Sequence, residues 1–270
     1  MFRATSHFFT HADGVFHPTE SALSGWGNGS LNGPALVGLA ARNLELQHGA
    51  DGFLPARLTA DLFKAAHRAP TEVRTRLLRD GRRIRNSECE IRQDGVLVAR
   101  ATMVQYWRSE PPPGQGWVDE DSFPAPGRFV GSVYMVGSND AGWSDSRADH
   151  QNTSRKRAYH NTPDVVEGEP PSAFVRAVVA SEATSLVTNL GTRGIGYING
   201  DLTVGLSRLP QSDCIGVQAD SHWCSDGIAV GAATLFDDAG PFGTAMVTAI
   251  ANPAAQIDFG RPDTAPTLRE

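Results

Sequence analysis

Leu58-Thr59-Ala60-Asp61-Leu62, then five residues, Arg68, one residue and Pro70, returns from position 198 as Ile198-Asn199-Gly200-Asp201-Leu202, five residues, Arg208, one residue and Pro210. The pattern apolar-x-x-Asp-Leu-x5-Arg-x-Pro, held twice without a gap, reads as a duplicated fold. Two similar halves in one chain pack as a pseudo-dimer, and a ligand site then tends to lie along their seam.

The segments after each copy carry the duplication further. After Pro70 come Val73–Leu78, Ile84–Ile91 and Val96–Trp107, separated by Asp80-Gly81 and Asp94-Gly95. After Pro210 come Cys214–Ala219, Ile228–Phe236 and Phe242–Ala251, with Asp226-Gly227 and Ala239-Gly240 between them. These are strands joined by tight hairpins, because Asp-Gly supplies the positive φ that a two-residue turn needs. Ahead of each copy lies an apolar helical segment opened by proline: Pro34 to about Gln47, and Pro170-Pro171 to about Asn189, where Gly191 is a plausible stop. Each half thus reads as a helix followed by an antiparallel meander, an α+β chain with one repeat in residues 1–108 and the second in 155–270.

The stretch 109–154 reads as a connector. It opens with Pro111-Pro112-Pro113, which disfavours helix and central strand alike, and continues through Phe123-Pro124-Ala125-Pro126-Gly127 and the polar run Ser138–Ser154. Phe129–Val136 reads as one extra strand inside it. A connector of this length is rarely inert, and one expectation is that it wraps across the other half.

Composition bounds the function. A chain of 270 residues with 40% hydrophobic content buries one large or two moderate cores, and no apolar run approaches the roughly 20 residues needed to span a bilayer. The N-terminus, Met1-Phe2-Arg3-Ala4-Thr5-Ser6-His7, lacks the apolar stretch of a secretory signal. Cys89, Cys214 and Cys224 form neither a CxxC motif nor an even set, so no disulfide framework or zinc site is expected, and a cytoplasmic address is the simplest. The net charge of −6 argues against a nucleic-acid binder. Two basic clusters, Arg79/Arg82/Arg83/Arg85 and Arg155/Lys156/Arg157, read either as holders of one phosphate group or as solvated hairpin rims.

The chemistry points to the second helix. Val175, Val179, Glu182 and Leu186 share one helical stripe, three aliphatic residues and a carboxylate. A buried carboxylate either finds a polar partner or has its pKa raised to where it serves as a base; the alternative is a glutamate at the stripe's edge that reaches solvent. Glu45 takes the matching place in the first helix, where Gln47 and His48 suggest a solvated end. Asp61 and Asp201, repeated by the fold, read as structural, pairing with Arg68 or Arg208. His222, next to Trp223, reads either as near a pocket or, as is commoner for a lone histidine in a strand, as structural, and His7, His11 and His17 are too irregularly spaced for a metal site.

These features together resemble the double-hotdog acyl-CoA thioesterases of the TesB-like type: two helix-plus-meander repeats, an acid after Ala180-Ser181, and a strand of the form Ile-x-x-Asp-Leu-x5-Arg-x-Pro. The resemblance runs from about Phe8 to Ala251 and is weakest in the connector. It implies a double hotdog that hydrolyses acyl-CoA to free acid and CoA without metal or cofactor. A helix aspartate, a strand threonine and a glutamine hold the hydrolytic water in that family; those positions fall here on Glu182, Asn199 and Thr248. None is the family's usual residue, though each keeps a polar or charged function. The resemblance further implies oxyanion donors at a helix start, for which Gly29-Ser30-Leu31-Asn32-Gly33, with Gly29 and Gly33 in contact with substrate, is the candidate; an ordinary loop and N-cap is the other reading. Direct attack by the carboxylate to form a mixed anhydride is a mechanistic alternative. The departures at Asn199 and Thr248 keep a non-hydrolytic acyl-thioester-binding protein in play. A 3-hydroxyacyl-thioester dehydratase is the third reading, weakened because no histidine occurs in the second helix. Acyl-CoA pools, lipid or polyketide pathways would fit. An exposed sheet edge would favour a homo-oligomer, while chain length and carrier stay open.

Overall fold

The computed structural model describes residues 6–26, 29–117, 122–127 and 134–260. The first helix, α1 (Gly33–His48), begins with Pro34 in its first turn, where a missing N–H costs nothing, and Asn32 Oδ1 caps it by accepting from the Ala35 N–H at 2.9 Å. The expected second helix forms as two, α2 (Ala173–Ser181), capped by Ser172, and α3 (Ala183–Asn189), with Glu182 at the joint. Ser181 supplies the reason. Its hydroxyl donates to the Val178 carbonyl at 2.7 Å, competing for the acceptor that an unbroken helix would offer to the Glu182 N–H.

The main sheet runs, in spatial order, Glu72–Asp80, Ile84–Gln93, Val96–Trp107, Phe53–Leu62, Asp201–Leu206, Gly240–Ala251, Ile228–Asp237, Cys214–Ser225, Lys156–Asn161, Tyr134–Ser138 and Gly142–Ser144, with Tyr197–Asn199 also paired to Gly240–Ala251. Two of the three expected Asp-Gly turns form with positive φ: Asp94 and Gly95 have φ of 49° and 75°, Asp226 and Gly227 of 51° and 78°. Asp80-Gly81 does not: neither residue has positive φ, because Asp80 pairs with Arg85 and the Gly81 N–H donates to the Ile84 carbonyl at 3.1 Å, closing a wider loop.

The two copies of the repeated stretch meet in the middle of this sheet. They are antiparallel, with Asp61 opposite Asp201 and Thr59 opposite Thr203, and Leu62 donates to the Gly200 carbonyl at 2.9 Å. Leu58, Ala60, Leu202 and Val204 turn into the core, whereas Thr59, Asp61, Asp201 and Thr203 line the other face. The expected ion pairs of Asp61 and Asp201 with Arg68 or Arg208 do not form. Asp61 instead meets Arg100 at 3.1 Å, and Asp201 accepts from the Thr248 N–H at 2.9 Å and from its hydroxyl. Arg68 reaches Glu20 and Arg208 reaches Asp237, each at 2.8 Å. Strand register, which sequence spacing does not specify, chose these partners.

Beyond Pro111–Pro113, Tyr134–Ser138 pairs with Lys156–Asn161 and so extends the sheet of the second half. Of the expected strand Phe129–Val136, residues 129–133 lie outside the described residues. A small second sheet ties the N-terminus across: His7–Ala12 pairs with Val15–Pro18 and runs parallel to Asp164–Val166.

One continuous apolar core joins the halves, with Leu39 and Leu44 of α1, Phe174 and Val178 of α2, and Leu58, Met103, Ile215 and Leu235 of the sheet. Each fully buried side chain of this size contributes about 1.5–3 kcal/mol. No helix among the described residues is long and apolar enough to cross a membrane.

α3 rests on the sheet at Gly231, where a Cβ would lie 2.6 Å from the Thr188 Cβ. Gly231→Ala is therefore expected to push α3, and Glu182 with it, off the sheet. Overpacking of this kind costs about 1–3 kcal/mol. A urea midpoint equal to wild type would show that the contact relaxes without strain.

Candidate active site

Glu182 occupies the joint between α2 and α3 with helical angles, φ −66° and ψ −22°. Its Oε1 accepts from Asn199 Nδ2 at 3.2 Å, and Ser185, one turn further along α3, donates its hydroxyl to Asn199 Oδ1 at 2.8 Å. That second bond fixes the amide, since an Oδ1 held by a hydroxyl leaves the NH2 group for the carboxylate. The other wall is the start of α1. A Cβ on Gly33 would lie 2.6 Å from Glu182 Cδ and closer still to Oε1, so the carboxyl rests directly on the Gly33 backbone. Among the described residues nothing accepts a hydrogen bond from the Gly33 N–H.

Burial pushes the Glu182 carboxyl up to about 8, and the Asn199 hydrogen bond offsets only part of that. The residue as a whole is partly accessible. Tyr134 and His160, from the connector strand and its neighbour, close the environment. Burial pushes the Tyr134 hydroxyl up, Arg147 pulls it down, and the Glu182 charge pushes it up again, so the two acids feel one another. The His160 ring lies 4.8 Å from that of Tyr134, and the Arg147 guanidinium lies 5.0 Å over the tyrosine. Burial holds His160 down to about 4, leaving the imidazole neutral, with its Nε2 unpartnered.

Of the residues singled out from sequence, the structure brings Glu182, Asn199 and Gly33 together. Gly29 stands apart from that contact, with φ 62° and a carbonyl that accepts from the Arg68 N–H at 3.0 Å. Thr248 is turned away. Asn199 pairs with Ala249 while Thr203 pairs with Met246, four steps on one strand against three on the other. The extra residue, near Gly200, sends the Asn199 side chain to the helix face and leaves Thr248 beside Asp201 on the opposite face. Glu45 is not the solvated end expected: it accepts from the Ser172 hydroxyl, and burial raises its pKa while that bond lowers it. His222 bonds Asn189 Oδ1 at 3.2 Å and meets the Tyr197 ring edge-on at 6.2 Å. Among the described residues, no group of three or more His, Cys, Asp and Glu stands ready to hold a metal ion.

Ser185, Tyr134 and His160 were missed. Ser185 carried a signal, lying three residues after Glu182 on the same helical face. Tyr134 and His160 carried none: the path of the connector brings Tyr134 here, and the pairing of its strand with Lys156–Asn161 sets it opposite His160.

Comparison with known proteins gives a consistent picture. Residues 23–106 match the model of the acyl-CoA thioesterase N-terminal domain, and residues 108–250 that of the acyl-CoA thioesterase C-terminal domain. Among solved structures, a Thermobifida fusca protein described as a thioesterase II has a TM-score of 0.70 at 15% identity, over 90% of this chain and 95% of that one. The tesB protein of Mycobacterium avium subs paratuberculosis has a TM-score of 0.61 at 17% identity, covering 91% of this chain and 96% of its own. A conserved protein of unknown function with hot dog fold from Alicyclobacillus acidocaldarius has a TM-score of 0.62 at 15% identity, over 90% and 95%. At these identities the structures speak for the fold alone. No curated protein matches the chain.

Proposed function

The chain belongs to the acyl-CoA thioesterase family, whose two domain models it matches between residues 23 and 250, and from that premise we propose that Glu182 is the base that hydrolyses acyl-CoA. The observation that carries this reading is a raised carboxyl, hydrogen-bonded to Asn199 and resting on the first residue of α1.

In this mechanism Glu182 takes a proton from water as the water oxygen attacks the thioester carbonyl, and Asn199 orients both. Negative charge gathers on the carbonyl oxygen, for which the Gly33 N–H at the positive end of α1 is the candidate donor. The C–S bond then breaks, and the proton on Glu182 passes to the departing thiolate. Water and acyl-CoA become acid and free CoA, with no group left over and no step that calls on a metal. Thr248 has no part in this scheme; with Asp201 it holds the seam. The antiparallel pairing of the repeats supports reading residues 1–108 and 155–270 as two hotdog units forming a pseudo-dimer about that seam, with 109–154 as their connector.

Thiol release from acyl-CoAs of increasing chain length tests the proposal. Turnover on at least one chain length is expected. Stoichiometric binding without turnover would replace the hydrolase with an acyl-thioester-binding protein. The neutral imidazole of His160 near Tyr134 is the one observation that favours a dehydratase, so 3-hydroxyacyl-CoA belongs in the panel; enoyl product without thiol would establish that activity instead.

A base must be ionised to act. The hydrolysis rate is therefore expected to rise with pH through about 8. Because the Asn199 bond stabilises the charged form, Asn199→Leu should move that inflection to higher pH and lower the rate at pH 7 about tenfold or more, one lost charge-assisted hydrogen bond being worth about 1.5–3 kcal/mol. An unmoved pH profile would show that Asn199 does not touch the working carboxylate.

A further inference from the structure

Residues 79–85 read Arg-Asp-Gly-Arg-Arg-Ile-Arg, four guanidiniums against one carboxylate in a chain of net charge −6. The mechanism uses none of them. This turn closes on the sheet corner beside the C-terminal end of α1: Trp107 donates to the Arg83 carbonyl at 2.9 Å, and Gln105 Nε2 donates to the His48 carbonyl at 2.8 Å. Arg82, Arg83, Ile84, Tyr106, Trp107 and Ser109 line a groove of about 810 Å³ there, the size of a small-molecule site.

The lining is unusual for a surface. Tyr106 and Trp107 are 45% and 50% exposed, and Trp107 is held in place, edge-on to Phe53 at 5.2 Å and backed by Gly52, where a Cβ would lie 2.6 Å from its Cη2. Asp80, the acid of the turn, is taken by Arg85 at 3.3 Å; Arg82 and Arg83 have no ion-pair partner among the described residues. Behind the aromatic wall, where the Arg85 guanidinium lies 5.7 Å over the Phe53 ring, Arg85 Nε and His48 Nε2 are buried without hydrogen-bond partners. Two unneutralised guanidiniums side by side repel one another and suit phosphate oxygens, while an exposed fixed indole suits a flat base.

We infer that this groove binds a nucleoside phosphate, its base lying on Trp107 and its phosphates on Arg82 and Arg83. α1 separates the groove from Glu182: at about 1.5 Å per residue its 16 residues span roughly 24 Å, from Gly33 at the carboxyl to His48 at the groove. The nucleoside phosphate has two possible sources, the nucleotide half of an acyl-CoA or a free nucleotide. Only the first rests on the thioesterase reading.

ADP titrated calorimetrically into the full chain at low salt tests the site. One equivalent is expected to bind to wild type and equally to Glu182→Gln, with affinity falling as salt is raised. Arg82→Glu/Arg83→Glu should weaken binding about a hundredfold, two charge-assisted contacts being lost; both arginines are exposed, so the thermal midpoint should hold. The same double variant then identifies the source. If its KM rises about tenfold for acyl-CoA and stays unchanged for the matching acyl-pantetheine, the groove holds the substrate's nucleotide. If neither KM moves while ADP binding is lost, it holds a free nucleotide. No ADP binding by wild type, or undiminished binding by the double variant, overturns the inference, and absence of hydrolysis leaves the ADP titration standing.

Discussion

Glu182→Gln is expected to lower kcat for acyl-CoA hydrolysis by about a hundredfold to ten-thousandfold, the contribution of a positioned general base, with KM little changed. The amide is the same size as the carboxyl, so it keeps the seat against Gly33 and the neighbourhood of Asn199 but cannot take a proton from water. The same substitution should stabilise the protein at alkaline pH. The folded-state pKa, about 8, lies above the ordinary value of 4.5, so between them the folded chain holds a proton that the unfolded chain has released. Stability therefore falls as pH rises from 4.5 to about 8, as the buried carboxyl is forced to ionise. Glutamine has no proton to lose, and its urea midpoint should match wild type near pH 5 and exceed it at pH 9. Loss of turnover with a gain in alkaline stability is what a destabilised functional carboxylate gives. If turnover survives, the base is another group; if turnover falls while alkaline stability falls too, Glu182 serves the fold.

The repeat was legible because it is written in residues whose local physics is unambiguous. Asp94-Gly95 and Asp226-Gly227 demand positive φ and receive it, and Val96–Trp107 forms as a strand to its predicted ends. Glu182 was legible for a similar reason: a carboxylate on an aliphatic stripe is costly and therefore conspicuous. The features that escaped reading depend on geometry that spacing does not encode. Ser181 breaks the second helix through one hydroxyl. One extra residue near Gly200 puts Asn199 and Thr248 on opposite faces of the sheet, so of the two only Asn199 lies beside Glu182, which a count of positions does not reveal. Register gave Asp61 and Asp201 partners other than the arginines repeated with them. Tyr134 arrives from a connector whose path no local pattern describes, and it meets His160 only because its strand pairs with Lys156–Asn161.

Gly33→Ala carries the second large effect, and it separates activity from folding more sharply than any change at Glu182. At the start of a helix, alanine is favoured over glycine by up to about 1 kcal/mol, because it restricts the unfolded chain more and costs the helix nothing. The position is not in the left-handed region, so no backbone strain opposes the change. The added methyl nevertheless falls on the Glu182 carboxyl, 2.6 Å from its Cδ. A glutamate side chain yields to such a clash by rotating away, which relieves the fold cheaply but carries Oε1 off Asn199 Nδ2 and off the water it activates. The expected result is a thermal midpoint equal to or above wild type with kcat down about a hundredfold, since displacement of a reacting group by an ångström costs about that much. The pH dependence supplies the signature: freed from its buried seat, the carboxyl should titrate nearer its ordinary range, so the residual rate should reach its plateau at lower pH than wild type. Full activity in Gly33→Ala would mean that the carboxyl does its work from somewhere other than the start of α1. A drop in both midpoint and kcat would mean that the methyl is met by the core and not by the side chain of Glu182.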